Sequence, residues 1–146
     1  MSPTPRPWLR PALWASAIIA LVAAVLAFEI VSTRPTRSAV RTYAELVTAA
    51  NRNDPEAARR LCTARYLSHH QLKRADEGGI VGLPRNIHKN FRAWRHGTNV
   101  WLCPTDRVGP IYQFVPEGGR WLFDGPVGLL RAGGRIELFG EEPSAP

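Results

Sequence analysis

No Gly-x-Gly-x-x-Gly fingerprint, P-loop, Gly-x-Ser-x-Gly elbow or His-Glu-x-x-His pair occurs anywhere in the 146 residues. Each of those motifs sets a phosphate cradle, an activated serine or a zinc pair on a defined turn or helix. Their absence leaves nucleotide hydrolysis, dinucleotide redox chemistry, and serine or zinc hydrolysis by those routes without support. Cysteine is scarce at two residues, and so is lysine, with two against seventeen arginines. The charges leave a net +7 but are scattered, with no basic block and no stripe of interleaved aromatics. Nucleic acid is therefore not an expected partner. The arginine bias reads as composition, and a basic surface suits anionic headgroups.

What the chain does have is one long apolar run. Ala12 to Phe28 reads ALWASAIIALVAAVLAF, seventeen residues without a charge behind Arg6 and Arg10, and Ile30 and Val31 extend it past Glu29. A bilayer core takes about 20 mainly apolar residues at about 1.5 Å rise each. Ala12 to Val31 is thus expected to pass through a lipid bilayer, with Trp8 and Trp14 at the near headgroup belt. A cleaved signal peptide is the competing reading. Its apolar region normally runs about 7–15 residues before a small-x-small site, and Val25-Leu26-Ala27 is a poor version of one. We read a retained signal anchor. By a count of flanking charge, Arg34, Arg37 and Arg41 against Arg6 and Arg10 favour the opposite orientation. The short tail ahead of the first apolar segment and the pair of cysteines favour a cytoplasmic tail over 1–11, an anchor over 12–31 and a cell-membrane protein whose C-terminal domain is extracytoplasmic.

Beyond the anchor, Ser32 to Thr36 with Pro35 reads as a juxtamembrane linker, assigned to 32–37. About 110 residues then remain, enough for one core, and the five Trp, five Phe and three Tyr supply material to fill it. Val40, Tyr43, Val47 and Ala50 recur at helical spacing, so an amphipathic helix is expected from Ser38 to Asn51. Asp54 is placed as N-cap and Pro55 at the first position of a second helix whose inner face carries Ala58, Leu61, Cys62 and Tyr66. A third is expected from Ser68 to Ala75, ending at Gly78-Gly79. After Gly82 the language changes to short aromatic-rich runs divided by Gly and Pro. Strands are expected at Asn90 to Arg95, Asn99 to Cys103, Ile111 to Val115 and Arg120 to Asp124, turning at His96-Gly97 and Glu117-Gly118-Gly119, with a last hairpin of Val127 to Leu130 and Arg135 to Phe139 around Gly133-Gly134. The polar tail over 141–146 is expected to lie outside the domain, which is assigned to 38–140.

The opening YAELVTAANRNDPEAARRLC and the late GRWLFDG resemble the NTF2-like (SnoaL-like) superfamily over roughly Val40 to Leu138. The resemblance implies an α+β cone: after the N-terminal transmembrane helix, two or three helices packed on a curved antiparallel sheet of four to six strands. That superfamily holds isomerases, cyclases and dehydratases alongside inert binding or assembly domains, so it implies no one activity. The carboxylates and tyrosine of its steroid-isomerase type match no position here, and no catalytic role is carried over.

The candidate sites each have a plainer reading. Cys62 and Cys103 can form one disulfide in an oxidising compartment or remain two buried thiols, and both readings stand. His69, His70, His88 and His96 lack the paired spacing of zinc ligands, and neighbouring His69 and His70 diverge on a helix, so no metal is assigned. Asp106, Tyr112, Glu117 and Asp124 are the acids and phenol near the sheet. A carboxylate inside a cone can act as general base once burial raises its pKa, with Asp124 first in line and Asp106 and Tyr112 behind it. The plainer account makes Asp124-Gly125-Pro126 a turn at a strand end and puts Asp106 in the Pro104 to Pro110 loop. Ile80 to Asn90 is either a lid over a cone entrance or a simple connection. Together these give a membrane-anchored, extracytoplasmic, non-catalytic module without cofactor. Its expected partners are a protein, a second copy of itself or a small apolar ligand; an isomerase- or cyclase-type enzyme using a cone carboxylate is the alternative.

Overall fold

The computed structural model describes residues 9–74 and 80–140, with the side chains of 9–17 and 28–32 left aside. The N-terminal tail as far as Trp8, the Gly78-Gly79 break and the tail over 141–146 lie outside the described residues. The first helix, α1 (Leu9–Asn51), carries Pro35 inside it, and the chain divides there into two compact units, 1–34 and 35–146. The linker expected at Ser32 to Thr36 is helical instead. Proline removes one backbone donor and crowds the preceding turn, but its φ is the helical one, so a helix already favoured on both sides can continue through it. Among the described residues no helix is long and apolar enough to cross a membrane. The expected span Ala12 to Val31 lies within α1, but the side chains at both its ends are outside the described residues.

Within residues 35–146, α1 buries Ala39, Tyr43, Leu46, Val47 and Ala50, one stripe at 3.6-residue spacing. Asp54 caps α2 (Pro55–Arg59) by accepting the Ala57 N–H, with Pro55 at the start as its fixed φ favours. The second helix was expected to reach Tyr66, and it stops seven residues short. Thr63 starts a separate helix, α3 (Ala64–His69), by accepting the Tyr66 N–H; of the third helix expected from Ser68 to Ala75 only Ser68 and His69 are helical, and 70–74 are not. The reason is tertiary: the chain between the two leaves the helix to pair with the sheet. Thr63 N–H donates to the Phe123 carbonyl at 2.9 Å and Phe123 N–H to the Leu61 carbonyl at 2.8 Å.

The sheet is a meander of β1 (Arg92–His96), β2 (Asn99–Cys103), β3 (Gly109–Glu117), β4 (Arg120–Leu130) and β5 (Ile136–Leu138), all antiparallel in sequence order, curled into a half-barrel. The fold is thus α+β. The expected strands are present, with one merger: Arg120 to Asp124 and Val127 to Leu130 are halves of a single strand, β4, and the last hairpin joins its second half to β5. What was read as a turn at Asp124-Gly125-Pro126 is bulged strand. Gln113 faces Gly125 while Phe114 faces Phe123, so Asp124 is the extra residue; Tyr112 faces Pro126 while Ile111 faces Gly128, which leaves out Val127. Gly125 takes the kink at φ +99°, against the Tyr66 ring.

The helices cover one face of this sheet. Tyr43, Leu46, Tyr66, Val100, Leu102, Phe114 and Phe123 form the main core, with Tyr112 and Trp121 packed against it. Its aromatic rings meet edge-on or tilted, as at Tyr66–Phe123 (5.0 Å) and Phe114–Phe123 (5.8 Å). A second, smaller core holds Trp101, Cys103, Ile111 and Leu130. Strand alternation divides Leu102 from Cys103, sending one to each core. The segment from Ile80 is a fixed connection: Ile80, Leu83 and Pro84 are buried, Tyr43 Oη donates to the Asn86 carbonyl at 2.6 Å and Tyr66 Oη to that of Gly82 at 3.1 Å.

The bridge considered between Cys62 and Cys103 is not formed. Both thiols are free and buried, Cys62 in the main core and Cys103 in the second. Burial pushes the Cys62 thiol up to about 12, and burial raises that of Cys103 as well. Reaction needs the thiolate. A maleimide reagent should therefore label neither cysteine in the native protein and both in urea under non-reducing conditions. Recovery of a linked Cys62–Cys103 peptide would overturn this arrangement.

Candidate functional site

The one acidic side chain buried among the described residues is Asp124, whose side chain is 4% exposed. It is held from three directions. From the capping position of α3, Thr63 Oγ1 donates to Oδ1 at 2.6 Å. From the first turn of α3, Arg65 donates through Nε to Oδ1 at 3.1 Å and through Nη2 to Oδ2, a two-pronged pair. From the neighbouring strand, Gln113 Nε2 donates to Oδ2 at 3.1 Å while its own Oε1 accepts the Trp101 indole N–H at 3.1 Å. The chain of donors thus runs from the second core through Gln113 to Asp124 and on to α3. Thr63 serves twice, accepting Tyr66 N–H and donating to the carboxylate.

Two opposed effects set the charge state of Asp124. Burial pushes its pKa up, and the hydrogen bonds from Arg65, Thr63 and Gln113 together with the Arg65 charge outweigh it, so the carboxyl sits below its ordinary value. Arg65 responds in the same sense, its guanidinium pKa raised by the Asp124 hydrogen bond and charge. The group is therefore an ionised acceptor whose oxygens are already taken. A general base needs the reverse, a pKa lifted toward neutrality and a lone pair aimed at substrate.

The other residues singled out from sequence do not join it. Tyr112 packs in the main core, 5.5 Å from the Phe123 ring and 6.0 Å from that of Tyr43, and burial raises its phenol pKa. Asp106 is exposed and lines a different groove together with Arg92 and Arg107. Glu117 is exposed at the β3–β4 turn. His69 and His70 border an open groove of about 250 Å³ with Arg65, Tyr66 and Asp124. There His70 stacks on the Tyr66 ring at 4.4 Å and His69 Nδ1 lies 2.9 Å from the Arg65 carbonyl oxygen. His96 instead stacks on Trp101 at 3.7 Å, and His88 is exposed. Among the described residues no three His, Cys, Asp or Glu side chains gather as metal ligands would.

Sequence reasoning named Asp124 but missed Thr63, Arg65 and Gln113, which define its role. Two had a visible cue: Thr63 stands three residues before Tyr66 as an N-cap does, and Gln113 is the lone polar residue in Ile111 to Val115. Arg65 is one of seventeen arginines and had none. No family model, no curated protein and no solved structure matches the chain.

Asp124→Asn keeps the shape but loses the charge and the pair with Arg65, and should destabilise the domain by about 1–3 kcal/mol at neutral pH. Because the folded pKa is the depressed one, the Asp124 contribution is fully present above the unfolded value of about 3.9 and is lost as pH falls through the folded value. Urea melts of both forms should show a gap that is widest at neutral pH and closes in acid. A gap that is absent, or that widens in acid, would remove Asp124 as a charged clasp.

Proposed function

We propose that this protein is a membrane-tethered module of NTF2-like type that binds a partner and performs no chemistry itself. The non-catalytic part of the reading is carried by the buried carboxylate: its oxygens are occupied by Arg65, Thr63 and Gln113, and its pKa is depressed. The filled interior supports the same conclusion, since Tyr43, Tyr112, Phe114 and Phe123 interlock where a cone enzyme would keep its substrate cavity. The helices-then-meander order and the curl of the sheet support the cone assignment.

The tether draws on the side chains of α1 between residues 18 and 26. Ile18, Ile19, Leu21, Val22, Val25 and Leu26 are 51–70% exposed along one side of the helix, and the opposite side carries only the exposed alanines Ala20, Ala23, Ala24 and Ala27. A helix that is apolar all round needs an apolar surrounding, and lipid supplies one. The extracytoplasmic placement of the domain is part of this proposal, and the cysteines, both free, do not bear on it. The partner we assign is a protein, a second copy of this chain or a small apolar ligand, met at the outer membrane face.

The full-length chain should stay with membranes through alkaline carbonate extraction, and deletion of residues 1–34 should release a folded, soluble domain. Release of the full-length chain by carbonate would defeat the tether. The non-catalytic reading fails if any substrate turnover disappears on Asp124→Asn while the variant remains folded at the assay temperature.

A further inference from the structure

The domain carries an open cavity of about 360 Å³ between α1 and the β3–β4 turn. Ser38 and Thr42, one turn apart on α1, face it with Arg41, and Gly119 and Arg120 close it from the turn. We propose that this cavity binds the phosphate of an anionic phospholipid headgroup, in the same bilayer that holds the chain; the inference rests on the tether reading above.

Four features fit that ligand. The Ser38 and Thr42 hydroxyls are donors on one face of one helix. Arg120 is exposed and has no ion-pair partner among the described residues. Arg41 spends its Nε on Glu45 at 3.0 Å, which leaves both terminal nitrogens of its fork for an oxyanion. With Glu45 included, the cavity carries two positive charges and one negative. A net charge of one matches a phosphodiester, which is a monoanion, better than a phosphate monoester or inorganic phosphate with its second ionisation near neutrality. Location supplies the source. Only six residues of chain separate Val31, the end of the expected anchor, from Ser38, which keeps the cavity within reach of the headgroups.

The test uses the full-length chain in nanodiscs of phosphatidylcholine, alone or mixed with phosphatidylglycerol, read by hydrogen exchange over residues 38–45 and 117–122. Those amides should exchange about fivefold more slowly in the anionic discs, an effect erased by high salt. Arg120→Gln, at an exposed turn, should abolish the slowing with the melting temperature unchanged, and the Ser38→Ala/Thr42→Val pair should reduce it. Equal exchange in the two lipids would overturn the site. So would the same slowing in phosphatidylcholine discs given inorganic phosphate, which would make it a free-anion site. A chain that elutes with neither disc would instead overturn the tether reading, and this site with it.

Discussion

A carboxylate taken out of water must be met by donors or it drives the chain apart, and the packing of this domain follows from how Asp124 is met. Leaving a buried acceptor without its donor costs about 1–3 kcal/mol, and the group at risk here is Asp124, since the Arg65 side chain is 67% exposed. Here the partners come from distant parts of the chain: Thr63 and Arg65 from α3, Gln113 from β3. Satisfying one side chain therefore fixes where α3 meets β4 and how β3 is registered beside it. The backbone repeats the constraint, since residues 61–63 pair with Phe123, the neighbour of Asp124, and that pairing ends α2 early.

The bulge is what makes this possible. In an unbroken β4, alternation would fix Asp124 strictly opposite Phe123, with Gln113 in a different register. The extra residue lets Phe123 stay in the main core while the next side chain swings to the edge where Thr63 waits. Gly125 takes the resulting positive φ, and a side chain there would press on the Tyr66 ring at 3.0 Å. Asp124-Gly125 looks like turn chemistry in sequence because turns and bulges ask for the same backbone; the partner strand decides between them.

This explains which parts of the molecule were legible in the sequence. The α1 stripe, the Asp54-Pro55 helix start, β2 and the hairpins all rest on local periodicity or turn residues, and each is present. Failures cluster where a distant contact outvoted the local signal: α2 shortened by its pairing with Phe123, β4 continued through Gly125 and Pro126, and helix carried through Pro35. The cysteines were open in sequence between a bridge and two buried thiols, and the structure has the thiols: strand alternation at Leu102 and Cys103 sends Cys103 to the second core, while Cys62 lies in the main one.

The same clasp bears on function. An ionisable group can hold a fold or do chemistry, but rarely both, because the hydrogen bonds that pin it also remove the lone pair and the pKa that catalysis needs. Asp124 is committed to holding, and the tyrosines that could have lined a cavity are likewise engaged, Tyr43 on Asn86 and Tyr66 on Gly82. With the interior given over to packing, what remains free to act is the exterior: arginines beside α1 and the β3–β4 turn, and the apolar side chains of residues 18–26. Both are suited to lipid, the first to its headgroups and the second to its chains. On the tethered reading proposed above, such a domain would hold a position at a membrane and present a surface there.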